Sequence, residues 1–416
     1  MIYHLKAPKS LHTDILLPAS KSISNRVLIL NALCRYPKKI RNLSVCDDTR
    51  VMVEALQQNK ETVDIGAAGT AMRFLTAYLS INEGYRILTG TERMKNRPIR
   101  ILTDALQTIG AEIEYLEKEG FPPLRIRGKT LQGGDIFLSA GVSSQYISAL
   151  LMIAPLLTNG LRLHLEGAVI SRPYIDLTIM LMKFFGVTVI EEGQTFTIPH
   201  QQYSPVEHFT VESDWSAASY WYEIMALTDD SDACISLNGL RPDSLQGDAS
   251  IIGIFDRIGV KTTFTETGVK LTKKPKETGD QIFLFDFVAM PDMVQTVATT
   301  CVMLGIPFLF KGVQSLKIKE TDRLAALQKE LHKLGFVLTI QNGDTLAWDR
   351  KRCASLPSPM IATYDDHRMA MSFAPLSLCF AEGIAIVEPD VVSKSYLSFW
   401  EDLRKAGFLI GEERCK

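Results

Sequence analysis

The apolar positions of this chain repeat one local pattern. An amphipathic stretch of helical period ends at a glycine, and a short alternating stretch of strand period follows. The pattern is legible in LQTIGAEI around Gly110, MKFFGVTV around Gly186, FDRIGVKT around Gly259, LHKLGFVL around Gly335 and LRKAGFLI around Gly407. Each glycine is expected to take the left-handed conformation just past a helix end. The five recur at intervals of 76, 73, 76 and 72 residues. Such even steps predict duplicated units, each with room for two helices and a few strands. An earlier helix end is expected at Asn59 in VEALQQNKETVDIG, only 51 residues before Gly110. The first unit should therefore be short by roughly two strands. Six units in two groups of three predict an α/β chain of two domains, with the cleft between them as the default binding site.

The remaining long apolar stretches read as buried helices. They are ISNRVLILNAL, AMRFLTAYL, YISALLMIAPLL, WSAASYWYEIMAL and MVQTVATTCVML. The longest uncharged run, Met293 to Phe310, contains Gln295, Thr296, Thr299, Thr300 and Pro307. It reads as a buried helix and strand, not a membrane span.

Composition changes this picture little. The chain has 416 residues, 46% hydrophobic and 22% charged, with a net charge of −2 and no long basic run. Bulk charge gives no sign of nucleic-acid or membrane binding, so any anion site must come from local placement of Lys and Arg. The seven cysteines Cys34, Cys46, Cys234, Cys301, Cys353, Cys379 and Cys415 are scattered, odd in number and without a CxxC pair. That suits reduced thiols in a cytosolic protein better than disulfides or a zinc site. The N-terminal MIYHLKAPKSLHTD lacks a signal-peptide core, so a cytoplasmic location is expected.

Local placement is where the chemistry lies. Lys319-Glu320-Thr321-Asp322-Arg323 opens an amphipathic stretch running to Gly335. A helix start needs a cap and one acid; it has no need of two cations one turn apart beside a carboxylate. Other helix starts combine small polar residues with Lys or Arg: Pro18-Ala19-Ser20-Lys21-Ser22 with Arg26 one turn on, Gly66-Ala67-Ala68-Gly69-Thr70 with Arg73, Ser143-Ser144-Gln145, Ser171-Arg172-Pro173-Tyr174, and Asp365-Asp366-His367-Arg368. Arg93-Met94-Lys95-Asn96-Arg97 adds three cations in five residues. Helix N-termini attract phosphates, because unpaired N–H groups and the dipole both point there. Asp292 and Asp214 each precede an apolar helix and read, in isolation, as capping residues. Together these starts predict a ligand with several negative charges, with Asp292 and Glu320 available for proton transfer.

At this point the motifs are recognisable as a set. PASKSISNR, AGTAMR, RMKNRPI, SSQYISALLM, SRPYID, MPD, KIKETDRL, DDHRMAM and the Lys394 turn resemble, in this order and nearly end to end, the 5-enolpyruvylshikimate-3-phosphate (EPSP) synthase family. The resemblance implies a two-domain inside-out α/β barrel built from six βαβαββ-type units, the first shortened here. Domain I would hold residues 1–18 plus 213–416 and domain II residues 19–212, with the active site in the interdomain cleft. The implied reaction moves the enolpyruvyl group of phosphoenolpyruvate to the 5-hydroxyl of shikimate 3-phosphate by addition and elimination, releasing phosphate. It implies no metal and no cofactor, no nucleic-acid or membrane partner, and a monomer.

Carried over by motif, Ser22 and Arg26 would bind the shikimate carboxylate, and Ser143, Ser144 and Ser171 the 3-phosphate. Gln145 would lie near both substrates, and Asp292 and Lys319 would contact the ring hydroxyls. Lys21, Gly69, Arg97, Arg323, Arg368 and Lys394 would clamp phosphoenolpyruvate. Asp292 would be the base for the 5-hydroxyl. Glu320 would deliver a proton to the methylene carbon and later remove one, and Lys21 would share in proton transfer. The family usually has Asn where Ala67 stands and Pro where Phe74 stands. These departures imply weaker phosphoenolpyruvate binding and a shifted Gly69 helix. Two alternatives stay open here: a catalytically impaired paralogue that binds shikimate 3-phosphate, and the sister transferase that acts on UDP-N-acetylglucosamine.

Overall fold

The computed structural model describes residues 1–58, 60–141, 143–276, 281–357 and 359–414. Asn59, the expected end of the first unit, and Cys415 lie outside them. The chain divides into two compact units, residues 1–18 with 212–416, and residues 19–211.

The fold is mixed α/β, with five four-stranded sheets among the described residues. All five share one order. In the sheet of residues 62–128, strand Thr62–Asp64 lies parallel to Gly84–Thr89, which is antiparallel to Leu124–Gly128, which is antiparallel to Glu112–Tyr115. A helix links the two parallel strands, as a parallel crossover requires. The same arrangement recurs over 134–198, 283–348 and, with a strand borrowed from residues 12–16, 234–273. In the last sheet, Met360–Ile361, Ile384–Val387 and Leu409–Glu413 are completed by the chain's first strand, Ile2–Lys6. The sequence repeat is thus a repeat of sheet topology. Its five marker glycines have φ between +80° and +105°, the left-handed region just beyond a helix. Residues 19–58 supply the helices Lys21–Ala32 and Asp47–Gln57 and, between them, one isolated bridge from Arg41 to Thr210.

In the unit of residues 1–18 and 212–416, the helices form the centre. Every residue of Trp215–Leu227 except Ser216 is buried, and so are all seven of His367–Phe373 and nine of the ten of Val294–Met303. A helix apolar on all faces has to be enclosed. Hydroxyls of Ser219, Thr296 and Ser372 link the three helices at 3.4 and 3.1 Å. This packing brings their N-terminal ends together.

In the unit of residues 19–211, Gly69–Ile81 and Ser144–Ile153 are buried in the same way, with Lys21–Ala32 and Arg172–Phe184 around them. Among the described residues, no helix is long and apolar enough to cross a membrane.

Candidate active site

The two aspartates that looked alike in sequence play different parts. Asp214 caps helix Trp215–Leu227, its carboxylate accepting the Ala217 N–H at 3.0 Å. Asp292 does not cap. It sits in the short turn Pro291–Met293, and the helix after it, Val294–Met303, begins without a side-chain cap. The Asp292 carboxylate instead accepts from Arg323 at 2.8 Å and Arg368 at 3.3 Å, with Lys319 Nζ also at 3.3 Å. Burial alone would raise its pKa. The charges of Arg368, Lys319 and Arg323 outweigh burial and hold the carboxyl well below the usual range.

Arg323 is the hub of this cluster. Its side chain is 2% exposed and touches three carboxylates: its near neighbour Glu320 at 2.9 Å and, from distant segments, Asp292 at 2.8 Å and Asp366 at 2.6 and 3.2 Å. Burial works against its charge, but these three carboxylates more than restore it. Glu320 is pinned from its other oxygen by Lys394 Nζ at 3.1 Å, in a position 15% exposed. Asp366 caps His367–Phe373 by taking the Arg368 N–H at 2.9 Å. Two left-handed residues, Tyr364 and Asp365, turn the chain into that cap. Lys319, Glu320 and Thr321 precede their helix instead of forming its first turn. The helix proper is Arg323–Lys333, because Asp322 takes the Ala325 N–H at 3.1 Å and fixes the start there. Asp292, Lys319, Glu320, Arg323, Arg368 and Lys394 are therefore brought together.

The unit of residues 19–211 holds its cations differently. Arg26 is buried and donates to Thr178 at 2.7 Å, the Ser22 carbonyl at 2.9 Å, Ser148 at 3.3 Å and the Tyr174 carbonyl at 3.2 Å. Its guanidinium also lies 5.3 Å from the Phe74 ring centre, so the unusual Phe74 packs on a predicted site residue. Burial pushes the Arg26 pKa down to about 10, and the Tyr174 hydroxyl works the other way. It remains a cation at neutral pH. Ser20 caps the helix that carries Lys21, Ser22 and Arg26. Lys21 Nζ stands 3.5 Å from the buried Asp48.

Gly69 opens helix Gly69–Ile81, whose N-terminus has no side-chain cap. A side chain here would collide: an added Cβ would sit 2.5 Å from a terminal nitrogen of Arg97 and 3.1 Å from one of Arg73. Arg73 also donates to the Gly69 carbonyl at 3.0 Å. Thr70 lies inside the helix and accepts from Gln145 Nε2 at 3.1 Å. Ser143 caps Ser144–Ile153, accepting the Gln145 N–H at 3.3 Å, and Ser144 is buried. Ser171 starts helix Arg172–Phe184 with φ 56°, ψ 41°, a conformation unfavourable without glycine, and its hydroxyl does not cap. The same helix carries Thr178 and Tyr174, which hold Arg26.

Sequence reasoning passed over Asp48 as the partner of Lys21 and gave no role to Asp366 or Arg73. The adjacent acids Asp47 and Asp48 at a helix start were the available signal for the first. Nothing in the sequence gives the distance that joins Asp366 to Arg323.

A family model described as EPSP synthase (3-phosphoshikimate 1-carboxyvinyltransferase) matches residues 5–63 and 57–403. A protein of Bacteroides fragilis named 3-phosphoshikimate 1-carboxyvinyltransferase is 54% identical, over 99% of this chain and all of its own length. One of the same name from Actinobacillus succinogenes is 36% identical, over 94% of this chain and 95% of its own. Among solved structures, EPSP synthase from Acinetobacter baumannii shares the fold with a TM-score of 0.76 at 19% identity, over 99% of both chains. These matches favour neither the UDP-N-acetylglucosamine transferase nor the impaired paralogue. The chain belongs to the EPSP synthase (3-phosphoshikimate 1-carboxyvinyltransferase) family.

Proposed function

We infer that the chain carries out the reaction for which its family is named. It transfers the enolpyruvyl group of phosphoenolpyruvate to the 5-hydroxyl of shikimate 3-phosphate. The observation that carries the reading is the cluster of Lys319, Arg323, Arg368 and Lys394 around the carboxylates Asp292 and Glu320.

In our reading, Lys21, Gly69, Arg97, Arg323, Arg368 and Lys394 serve phosphoenolpyruvate. Ser22, Arg26, Ser143, Ser144 and Ser171 serve shikimate 3-phosphate, with Gln145 near both. Asp292 and Lys319 take the ring hydroxyls. Asp292 accepts the proton of the 5-hydroxyl as its oxygen bonds to the substituted carbon of phosphoenolpyruvate, and Glu320 gives a proton to the methylene carbon. Elimination then breaks the bond to phosphate while Glu320 takes a proton back from the methyl group. Lys21 offsets charge on the leaving phosphate.

The resting electrostatics suit this order of events. Asp292 is a poor base while three cations hold it. A substrate anion that draws Arg368 and Arg323 away returns basicity to it, so base strength rises when the donor binds. We further read the fold as six βαβαββ-type units, helices inside and sheets outside, with the first unit cut short. Both units act on the same substrate pair, in a cytoplasmic monomer; the unpaired thiols Cys34, Cys46, Cys234, Cys301, Cys353 and Cys379 support that location.

The test is phosphate release from phosphoenolpyruvate with and without shikimate 3-phosphate. Release that needs both substrates and is lost in Glu320→Ala supports the reading. Release without the acceptor, or undiminished in that variant, overturns it.

A further inference from the structure

Behind Arg368 lies a buried carboxylate that the proton chemistry does not use. Asp248 is 4% exposed and belongs to the turn Gly247–Ser250. Gln246 fastens this turn to the start of helix Trp215–Leu227. Its amide oxygen accepts the Trp215 N–H at 3.1 Å, and its amide nitrogen donates to Glu212 at 2.9 Å and to the Ser213 carbonyl at 2.8 Å. Asp248 is thereby set against Ser216, the one residue of that helix that is not fully buried. The Ser216 hydroxyl donates to Asp248 Oδ2. The same hydroxyl oxygen accepts from Arg368 at 3.4 Å, and Arg368 also donates to the Asp292 carboxylate at 3.3 Å and the Asp292 carbonyl at 3.2 Å.

The direction of these bonds is forced. A guanidinium only donates and an ionised carboxylate only accepts, while a hydroxyl does both. Donation must therefore run from Arg368 to Ser216 to Asp248. The bare Asp248 carboxylate fixes the serine proton, which turns the serine lone pair toward Arg368. Asp292 is also the group whose basicity depends on where Arg368 lies. A hold on Arg368 from Ser216 steers the guanidinium as the donor draws it from Asp292.

We propose that Asp248 is a positioning residue for phosphoenolpyruvate binding, acting through the Ser216 hydroxyl to hold Arg368 in its ligand-binding orientation. The inference rests on the function given above and deepens it.

The titration of Asp248 adds a signature. Burial pushes its pKa up and Arg368 opposes this; the Ser216 hydroxyl also lowers it, and the carboxylates of Asp292 and Asp214 raise it, giving about 6. Those three charged groups come from helix His367–Phe373, the turn Pro291–Met293 and the cap of Trp215–Leu227. Below pH 6 the carboxyl gains a proton, and the charge that anchors the chain of donation is lost. The hold on Arg368 then loosens.

Steady-state kinetics of wild type, Ser216→Ala, Asp248→Asn and the double variant test this from pH 5 to pH 8. Each single variant should raise KM for phosphoenolpyruvate roughly threefold to tenfold at neutral pH, the size expected for one lost hydrogen bond of ordinary net strength. KM for shikimate 3-phosphate should stay within about twofold, because those contacts are left alone. The double variant should be no worse than the worse single one, since both remove one connection. As pH falls through 6, KM for phosphoenolpyruvate should rise more steeply in wild type than in Asp248→Asn, the substrate's own titration being common to both. Equal rises in both KM values, additive effects, or an unmoved Ser216→Ala would overturn the inference while wild-type turnover upheld the function. Ser216→Ala is the safer variant for folding, since alanine suits a helix and the site is half-buried. Wild type that releases no phosphate would overturn both readings.

Discussion

The two units differ in how they hold the buried arginines of the candidate site. In residues 212–416 the cations Lys319, Arg323, Arg368 and Lys394 stand against the carboxylates Asp292, Glu320 and Asp366. In residues 19–211, Arg26 donates to hydroxyls and carbonyls, Arg73 donates to the Gly69 and Pro98 carbonyls, and Lys21 stands near the Asp48 carboxylate. Similar helix starts thus give two kinds of site. Paired charges make a site where an incoming anion must displace a carboxylate, so binding and basicity are coupled. Charges held by neutral oxygens keep their full field, which suits holding an anion still. In the reading proposed above, the first arrangement serves proton transfer and the second serves grip.

The strongest way to break this contrast is Glu320→Gln. The amide keeps the shape and can still accept from Arg323, but it cannot shuttle a proton. Turnover should fall about 10²–10⁴-fold, the range of a lost general acid or base, with little change in either KM. A variant that keeps kcat but loses substrate affinity would show that Glu320 belongs to grip, and the division between units would fail.

Gly69→Ala asks the complementary question of the other unit. The new Cβ would meet the Arg97 guanidinium at 2.5 Å and must push it aside. Because the guanidinium is the far end of a flexible side chain, the fold should survive. KM for phosphoenolpyruvate should rise roughly tenfold, about the value of one charged hydrogen bond, with kcat changed less. An unmoved KM would mean that Arg97 does not meet the donor.

How much of this was legible in the sequence follows the same divide. The five marker glycines and the helix starts could be read directly, because a left-handed residue and a cap are set by a few neighbours. The strand order could not, since pairing Thr345–Trp348 with Phe308–Lys311 depends on distant contacts. Asp214 and Asp292 show the limit most clearly. Each stands before an apolar helix, yet only the first caps, because Pro291 and Met293 carry the chain through a tight turn before the second helix begins. The non-capping aspartate is the one we propose as the base, and the feature that separates the two is geometric. Arg323 is similar: its motif is local, but its partners at Asp292 and Asp366 lie 31 and 43 residues away.

The smallest effect on activity, and the sharpest on stability, is expected at Glu223. It lies in the same helix core as the paired cluster but, among the described residues, forms no ion pair. The side chain is fully buried, one oxygen accepts the Thr299 hydroxyl at 2.7 Å, and the other has no hydrogen-bond partner among the described residues. Burial drives its pKa well above the ordinary value of 4.5, only partly opposed by the Thr299 and Thr300 hydroxyls. Here burial wins, whereas at Asp292 the surrounding cations win. A carboxyl that titrates higher in the folded chain than in the unfolded one gives its full stability below the unfolded pKa. That contribution is lost as pH rises toward the folded value, with a slope of up to about 1.4 kcal/mol per pH unit. Urea unfolding should therefore show wild type losing stability above pH 4.5 relative to Glu223→Gln, whose amide cannot titrate, while the two keep similar kcat. Parallel stability curves for the two proteins would mean that Glu223 finds compensation in the core. The contrast between a buried carboxyl with cations and one without would then not hold.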